Sequence, residues 1–334
     1  MGIASCKKKE IGPQCPTCIE EDIAIKYDDV LIGCEGNFGW GNASISLFNP
    51  TNNSITNTVF QNINGYALGD VLQSITEHNG HLFAVVNNSG KIEVLDTATY
   101  QKTATINGLT SPRYFCGINN SKAYVSDLFS DQIAILDLGN NSVIGNINAG
   151  GWTEEMLLFN NKVYACRPDT NFILQINAST NSIEDTIFVG KGPSSLVLDN
   201  NNKLWVLSSG GMNEKQGELT QIDPSTNNIS QTMVFSNLSN SPNNLKIASN
   251  GETLYYLNNG VNKLSVYATA LPSSPIINEN GAAFYGLGIS PAHDIYVSDA
   301  VDYVQSGIIH RYDSTALLKD QFSVGIIPQA FWFK

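Results

Sequence analysis

From residue 28 onward the chain alternates short apolar runs with clusters of Asn, Ser, Thr, Gly and Asp. Runs this brief, rich in β-branched and aromatic residues and bounded by turn formers, predict strands and hairpins rather than helices. Three series of runs align. One comprises residues 45–50, 92–97, 133–138, 173–178, 219–224, 264–269 and 308–313, with starts 47, 41, 40, 46, 45 and 44 residues apart. Most of its members lead into a polar turn, such as Ser179-Thr180-Asn181 or Ser225-Thr226-Asn227, and then a further apolar run. A second series precedes it: residues 30–34, 82–86, 123–127, 163–167, 204–208, 254–258 and 295–299. Six of these seven carry an aromatic at the second position, which predicts a ring filling the space between facing sheets. The third series, residues 71–76, 113–118, 155–159, 194–198, 244–248, 285–289 and 329–333, lies upstream of the other two and supplies innermost strands.

A period of 40 to 47 residues with four strands per unit is the signature of a repeat architecture. The first unit lacks an inner strand before it, and the last inner strand, ending at Lys334, lacks strands after it. Joining the two closes a ring and removes the open edges of a linear array. The expected fold is therefore all-β: a seven-bladed β-propeller of four antiparallel strands per blade, with the C-terminal strand completing the first blade. Residues 28–334 form the propeller and residues 1–27 precede it.

Composition narrows the partners. With 18 basic against 30 acidic residues, a net charge of −12 repels phosphate, and nucleic acid is not an expected partner. Only 14% of residues are charged, and the amides and hydroxyls that replace them suit many turns. Gly2-Ile-Ala-Ser-Cys6 has the form of a bacterial lipobox, small residues before a Cys that becomes the acylated first residue. Met1 stands too close to Cys6 for a working signal peptide, so this reading expects a trimmed or mis-started precursor. Lys7, Lys8 and Lys9 then lead through a Pro-containing tether, which would make membrane contact a matter of the lipid anchor alone. An ordinary thiol in a loose tail is the alternative. Cys15 and Cys18 have no second pair to complete a zinc site, which leaves a local disulfide or idle thiols. Cys34, Cys116 and Cys166 fall within expected strands as small buried residues.

In such a ring the inter-blade connections and the turns between second and third strands share one face. Here they are the longer set: residues 35–43, 62–70, 150–154, 208–217 and 298–307. Long loops in a compact fold are usually functional, so the site is expected around the central funnel of that face. Candidate ligand-binding residues are Asn37, Phe38, Trp40, Asn87, Asn88, Arg113, Tyr114, Trp152, Glu154, Arg167, Asn243, Asn244, Tyr285 and Tyr303, with Tyr66 nearby. Flat rings interleaved with hydrogen-bonding groups suit a large, polar, partly planar ligand; packing between blades is the competing role for each ring taken singly. Catalysis is not expected. His78, His81 and His293 fall at turns of the opposite face, His310 lies inside a strand, and no nucleophile elbow or Ser-His-Asp pattern stands out. Propeller lactonases use carboxylates around calcium, and Asp127, Asp299, Asp302 and Glu154 keep that chemistry open, with Asp299 and Asp302 the metal candidates. Asp127 and Asp299 each end a Tyr-Val-Ser-Asp strand, however, which also fits carboxylates bonding turn amides.

The repeats with Tyr124-Val-Ser-Asp127 and Tyr296-Val-Ser-Asp299 resemble surface-layer, YVTN/YncE-like propellers. Further motifs resemble a Bacteroidetes surface lipoprotein propeller family. They are Glu35-Gly-Asn-Phe-Gly39, Gly69-Asp-Val-Leu-Gln-Ser74, Val86-Asn-Asn-Ser-Gly-Lys-Ile-Glu-Val94 and Ser111-Pro-Arg-Tyr114. Lys122-Ala-Tyr-Val-Ser-Asp-Leu128, Phe284-Tyr-Gly-Leu-Gly288, Ser298-Asp-Ala-Val-Asp-Tyr-Val-Gln-Ser-Gly307 and Gly325-Ile-Ile-Pro328 complete the match, which covers nearly all of the chain from Asp28. That family includes proteins that capture cobalamin and pass it to a TonB-dependent outer-membrane transporter. The resemblance implies a lipid-anchored, outer-membrane, non-catalytic capture protein without a cofactor of its own. Its ligand would be cobalamin or another corrinoid-like molecule. Lys7-Lys-Lys-Glu10 departs from the acidic residues that often follow the lipidated Cys in surface-exported members. A protein-interaction scaffold on the envelope and a calcium-dependent hydrolase are the alternative readings.

Overall fold

The computed structural model describes residues 27–211 and 213–334, so the expected lipobox, with Cys6, and the Cys15–Cys18 pair lie outside the described residues. The described residues form seven four-stranded antiparallel sheets, one per blade. Blade 1 is closed from both ends of the sequence, because Pro328–Phe333 pairs with Val30–Cys34, with Val30 opposite Phe333 and Cys34 opposite Pro328. The backbone extends the seam on either side: Lys334 N–H donates to the Asp29 carbonyl, and Glu35 N–H donates to that of Ile327. The expectation of seven blades closed by the C-terminal strand is met. Tyr27 already belongs to the fold, buried against Tyr296 and Phe333.

The second strands carry the packing. Phe83, Tyr124, Tyr164, Trp205, Tyr255 and Tyr296, the six aromatics at the shared position, are all buried. They fill the wedge that opens between neighbouring twisted sheets; Phe83, for example, stacks on Phe115 of the next blade at 3.9 Å between ring centroids. The turns after the third strands repeat one device. Asp96, Asn177 and Asp223 each end a strand and accept hydrogen bonds from the amides two or three residues on. Asn181 and Asn227 in those turns take left-handed φ, a conformation that asparagine tolerates better than most residues.

Two features depart from the sequence pattern. A short helix, Val59–Asn64, occupies the connection from blade 1 to blade 2, with Val59 and Phe60 buried. In blade 6 the third strand is Gly260–Ser265, so Val261, paired with Leu257, holds the place expected for Leu264. The outer strand of that blade is only Ile277–Asn278. Among the described residues no helix is long and apolar enough to cross a membrane.

Candidate functional site

The inner strands of six blades shift register against their second strands within their first few residues. The shifts fall between Leu72 and Ser74, Pro112 and Phe115, Pro193 and Ser195, Asn243 and Lys246, Phe284 and Leu287, and Pro328 and Ala330. A bulge bends a strand and re-aims its side chains. Here the bulged segments place Gln73, Arg113, Tyr114, Ser194, Asn244, Tyr285 and Gln329 around the central axis. Backbone strain collects at the same level. Val71, Val301 and Ile327, all β-branched, are held at φ of 61°, 57° and 51°. Such residues adopt left-handed φ only where the surroundings impose it, and functional sites are where that happens most.

The funnel that results is a cavity of about 460 Å³, walled by Arg113, Trp152, Glu154, Ser194, Asn243, Phe284, Tyr285 and Tyr303 among others. It narrows at Tyr114, Glu155, Asn244 and Gln329 into a channel of about 470 Å³ between the inner strands, whose far end is apolar, with Met156, Ile247, Ile289 and Phe331. A polar network holds the floor. Arg113 Nε donates to Glu154 Oε1 at 2.7 Å and its Nη1 to Gln73 Oε1, while Trp152 Nε1 donates to the same Glu154 oxygen at 2.6 Å. Tyr285 OH donates to Glu35 Oε1 at 3.1 Å, and the Tyr285 and Tyr303 rings meet edge to face at 5.7 Å. Lys246 Nζ bonds Glu155 Oε1 at 3.1 Å, tying blade 6 to blade 4 across the waist. Burial raises Glu154 above the usual carboxylate range even with Arg113 and Trp152 opposing it. Glu35 is pushed up to about 7, chiefly by burial and also by the Glu154 carboxylate, against the Tyr285 hydroxyl and the Arg113 guanidinium. The ionisable groups thus largely neutralise one another, and amides, hydroxyls and rings face the opening.

Of the residues expected at the site, Arg113, Tyr114, Trp152, Glu154, Asn243, Asn244, Tyr285 and Tyr303 come together at this cavity. Asn37 braces it, its Nδ2 donating to the Tyr303 carbonyl at 2.8 Å. Phe38 and Trp40 stand on the blade 1 loop, 72% and 79% exposed, and are not among the lining side chains. Asn88 bonds Asp70 at the surface. Asn87 and Arg167 are buried and occupied: Asn87 holds Ser111 Oγ and the Pro112 carbonyl, and Arg167 clamps the carbonyls of Ala149 and Gly150 together with Asp169. Tyr66 packs on Phe60 of the short helix. Glu35, Gln73, Glu155, Ser194, Phe284 and Gln329 join the site without having been singled out. Pro112, Pro193, Pro242 and Pro328, each one residue before a funnel residue, are the signal that marks several of these positions.

Asp127 accepts from the amides of Ser111, Phe129 and Ser130, Asp299 from those of Ala283 and Val301, and Asp302 from those of Val304 and Gln305. All three therefore serve turns. Among the described residues no three His, Cys, Asp or Glu side chains converge as a metal site. His78 and His81 border a cavity with Asn120 and Leu138, away from the funnel, and His293 bonds Ser249 Oγ. Replacing Asp127 with Ala is expected to cost about 2 kcal/mol in chemical denaturation, because the carboxylate is spent on backbone amides.

A model of a domain of unknown function, DUF5074, matches residues 28–324, the whole ring except its closing strand and the residues just before it. The chain belongs to the DUF5074 family. No curated protein sequence matches this DUF5074 protein. Its fold recurs in solved structures. A quinonprotein alcohol dehydrogenase-like protein of Bacteroides thetaiotaomicron VPI-5482 superposes with a TM-score of 0.73 at 13% identity, covering 92% of this chain and 78% of that one. A protein from Lactobacillus plantarum gives 0.70 at 12% identity, over 92% and 100%. A 6-phosphogluconolactonase-like protein of Bacteroides fragilis NCTC 9343 gives 0.65 at 13% identity, over 93% and 99%. At such identities the likeness is one of fold.

Proposed function

We propose that this DUF5074 propeller is a non-catalytic capture protein of the cell envelope. It holds a large, flat, amide-bearing molecule of the corrinoid class, cobalamin foremost, at its funnel and presents it to a TonB-dependent outer-membrane transporter. The observation that carries the reading is the funnel lining: the rings of Phe284 and Tyr285 and the amides of Asn243, Asn244 and Gln329 on inner strands, with the rings of Trp152 and Tyr303 on loops beside them. Rings supply flat apolar area, amides pair with the amide side chains of a corrin disc, and side chains fixed by strands lose little freedom on binding. The carboxylates near the opening are turn or ion-pair partners, which favours capture over calcium-dependent hydrolysis. Anchoring through Cys6 and docking on a transporter rest on the lipobox and on the likeness to the surface lipoprotein propellers.

Titrating the full chain with cyanocobalamin, followed by calorimetry and by corrin absorbance, is expected to give one-to-one binding. Trp152→Ala is expected to weaken it about tenfold or more, through lost ring area and a lost orienting bond to Glu154. The Phe38→Ala/Trp40→Ala pair, which leaves the cavity wall intact, is expected to change it little. Absence of heat and of any spectral change at micromolar protein overturns the reading.

A further inference from the structure

Blade 6 has a second cavity, built by the failure of its outer strand. The ladder between Gly260–Ser265 and Ile277–Asn278 consists of two pairs, Gly260 with Asn278 and Val261 with Ile277. Pro272 and Pro275, in the segment leading to that outer strand, have no N–H to give a ladder. The chain swings instead toward blade 5, where Gln231 Nε2 donates to the Ala268 carbonyl at 3.0 Å. The gap between the two blades is a cavity of about 530 Å³, and it shares no lining residue with the funnel.

Two largely buried residues each offer it a polar atom that has no partner among the described residues. Asn262 is 4% exposed, and its Nδ2 is used on the carbonyls of Asn258 and Gly260; its Oδ1 accepts no hydrogen bond among the described residues. Tyr256 is 1% exposed and lines the cavity, and its hydroxyl likewise has no partner among them. Burial raises the Tyr256 hydroxyl well above its ordinary range, so it stays protonated and able to donate. Both atoms are accessible from the cavity, so an acceptor and a donor stand open there to whatever occupies it. Around them stand the side chains of Asn240, Asn258, Asn259 and Ser273, and the wall contains no Lys, Arg, His, Asp or Glu. A wall without charge gives an ionic ligand no counter-ion. Amides and hydroxyls, which donate and accept side by side, match groups that do the same, and neighbouring sugar hydroxyls are such groups. We propose that this cavity between blades 5 and 6 binds an uncharged, multiply hydroxylated ligand, a mono- or oligosaccharide, independently of the funnel.

Saturation-transfer NMR on the full chain tests it with four probes: methyl α-mannoside, methyl β-galactoside, N-acetylglucosamine and the blocked tripeptide of alanine. At least one sugar is expected to show transfer and the tripeptide none. For that sugar, Tyr256→Phe and Asn258→Ala are each expected to weaken binding about tenfold, the loss of one buried hydrogen bond, while Trp152→Ala in the funnel leaves it unchanged. Transfer from the tripeptide alone would assign the unpaired strand edge to peptides and overturn the proposal. So would silence from all three sugars, or sugar binding that both blade 6 substitutions leave untouched.

Discussion

An Arg311→Met chain is expected to unfold about 3–5 kcal/mol more readily than the parent, the usual consequence of stranding one member of a buried ion pair. Arg311 is buried in blade 7, where its Nε and Nη2 both donate to Asp294 Oδ2, at 3.0 and 2.6 Å, and its Nη1 donates to Asp320 at 2.8 Å. Tyr27 donates to the same Asp294 oxygen at 2.8 Å and shares a 2.6 Å hydroxyl contact with Tyr296. The guanidinium also lies over the rings of Tyr27, Phe48 and Tyr296. Blade 7 and the two ends of blade 1 therefore meet at one charged knot, and losing it loosens the ring where it closes. Urea unfolding followed by tryptophan fluorescence reads the loss. Asp294→Leu added to Arg311→Met should recover most of it, because removing both charges leaves neither buried alone. A loss under about 1 kcal/mol for the single substitution would mean that Lys319, which also reaches Asp294, suffices as its partner.

The same knot marks how far the sequence could be read. Blade number, strand order and ring closure were legible because six of the seven second strands repeat an aromatic at one position and five of the seven third strands end in a turn-forming Asp or Asn, periodic signals that survive without a structure. In blade 6 the apolar spacing of Leu264-Ser-Val-Tyr falls three residues beyond the strand position that Val261 holds, and only the pairing of Val261 with Leu257 shows it. The helix Val59–Asn64 is too short to establish a period. At the site, loop length selects the face that holds the funnel cavity, but sequence does not separate residues that line it from residues that brace its loops. Asn87 and Arg167 look available in sequence but are bound to neighbouring loops, whereas Glu35 and Gln73 look like strand ends and become floor residues. A bulge decides which of two adjacent side chains faces the axis, and periodicity carries no record of it.

Glu35 supplies the second large effect. Its carboxyl is moved from an ordinary 4.5 to about 7, chiefly by burial beside the inner strands, so the folded chain prefers it protonated. A raised carboxylate contributes stability that is fully present below about 4.5 and is lost as pH climbs through about 7. The shift corresponds to about 3 kcal/mol at full burial, and partial access of solvent lowers the expected loss to about 2 kcal/mol between roughly pH 5 and pH 8. Glu35→Gln keeps the shape and a hydrogen-bonding partner for Tyr285 but cannot ionise. Its stability should therefore fall less over that interval, the remaining slope reflecting Glu154, which burial also raises. Urea midpoints across the interval, compared for the two chains, measure the difference directly. Parallel curves would show that Glu35 ionises at its ordinary pH and is hydrated where it meets the funnel. A steeper parent curve would mean that the funnel floor gains a charge near neutrality. The affinity of a neutral, amide-bearing ligand seated over Tyr285 would then fall with rising pH in the parent chain and hold level in Glu35→Gln, because the newly ionised carboxylate needs hydration that a bound ligand excludes.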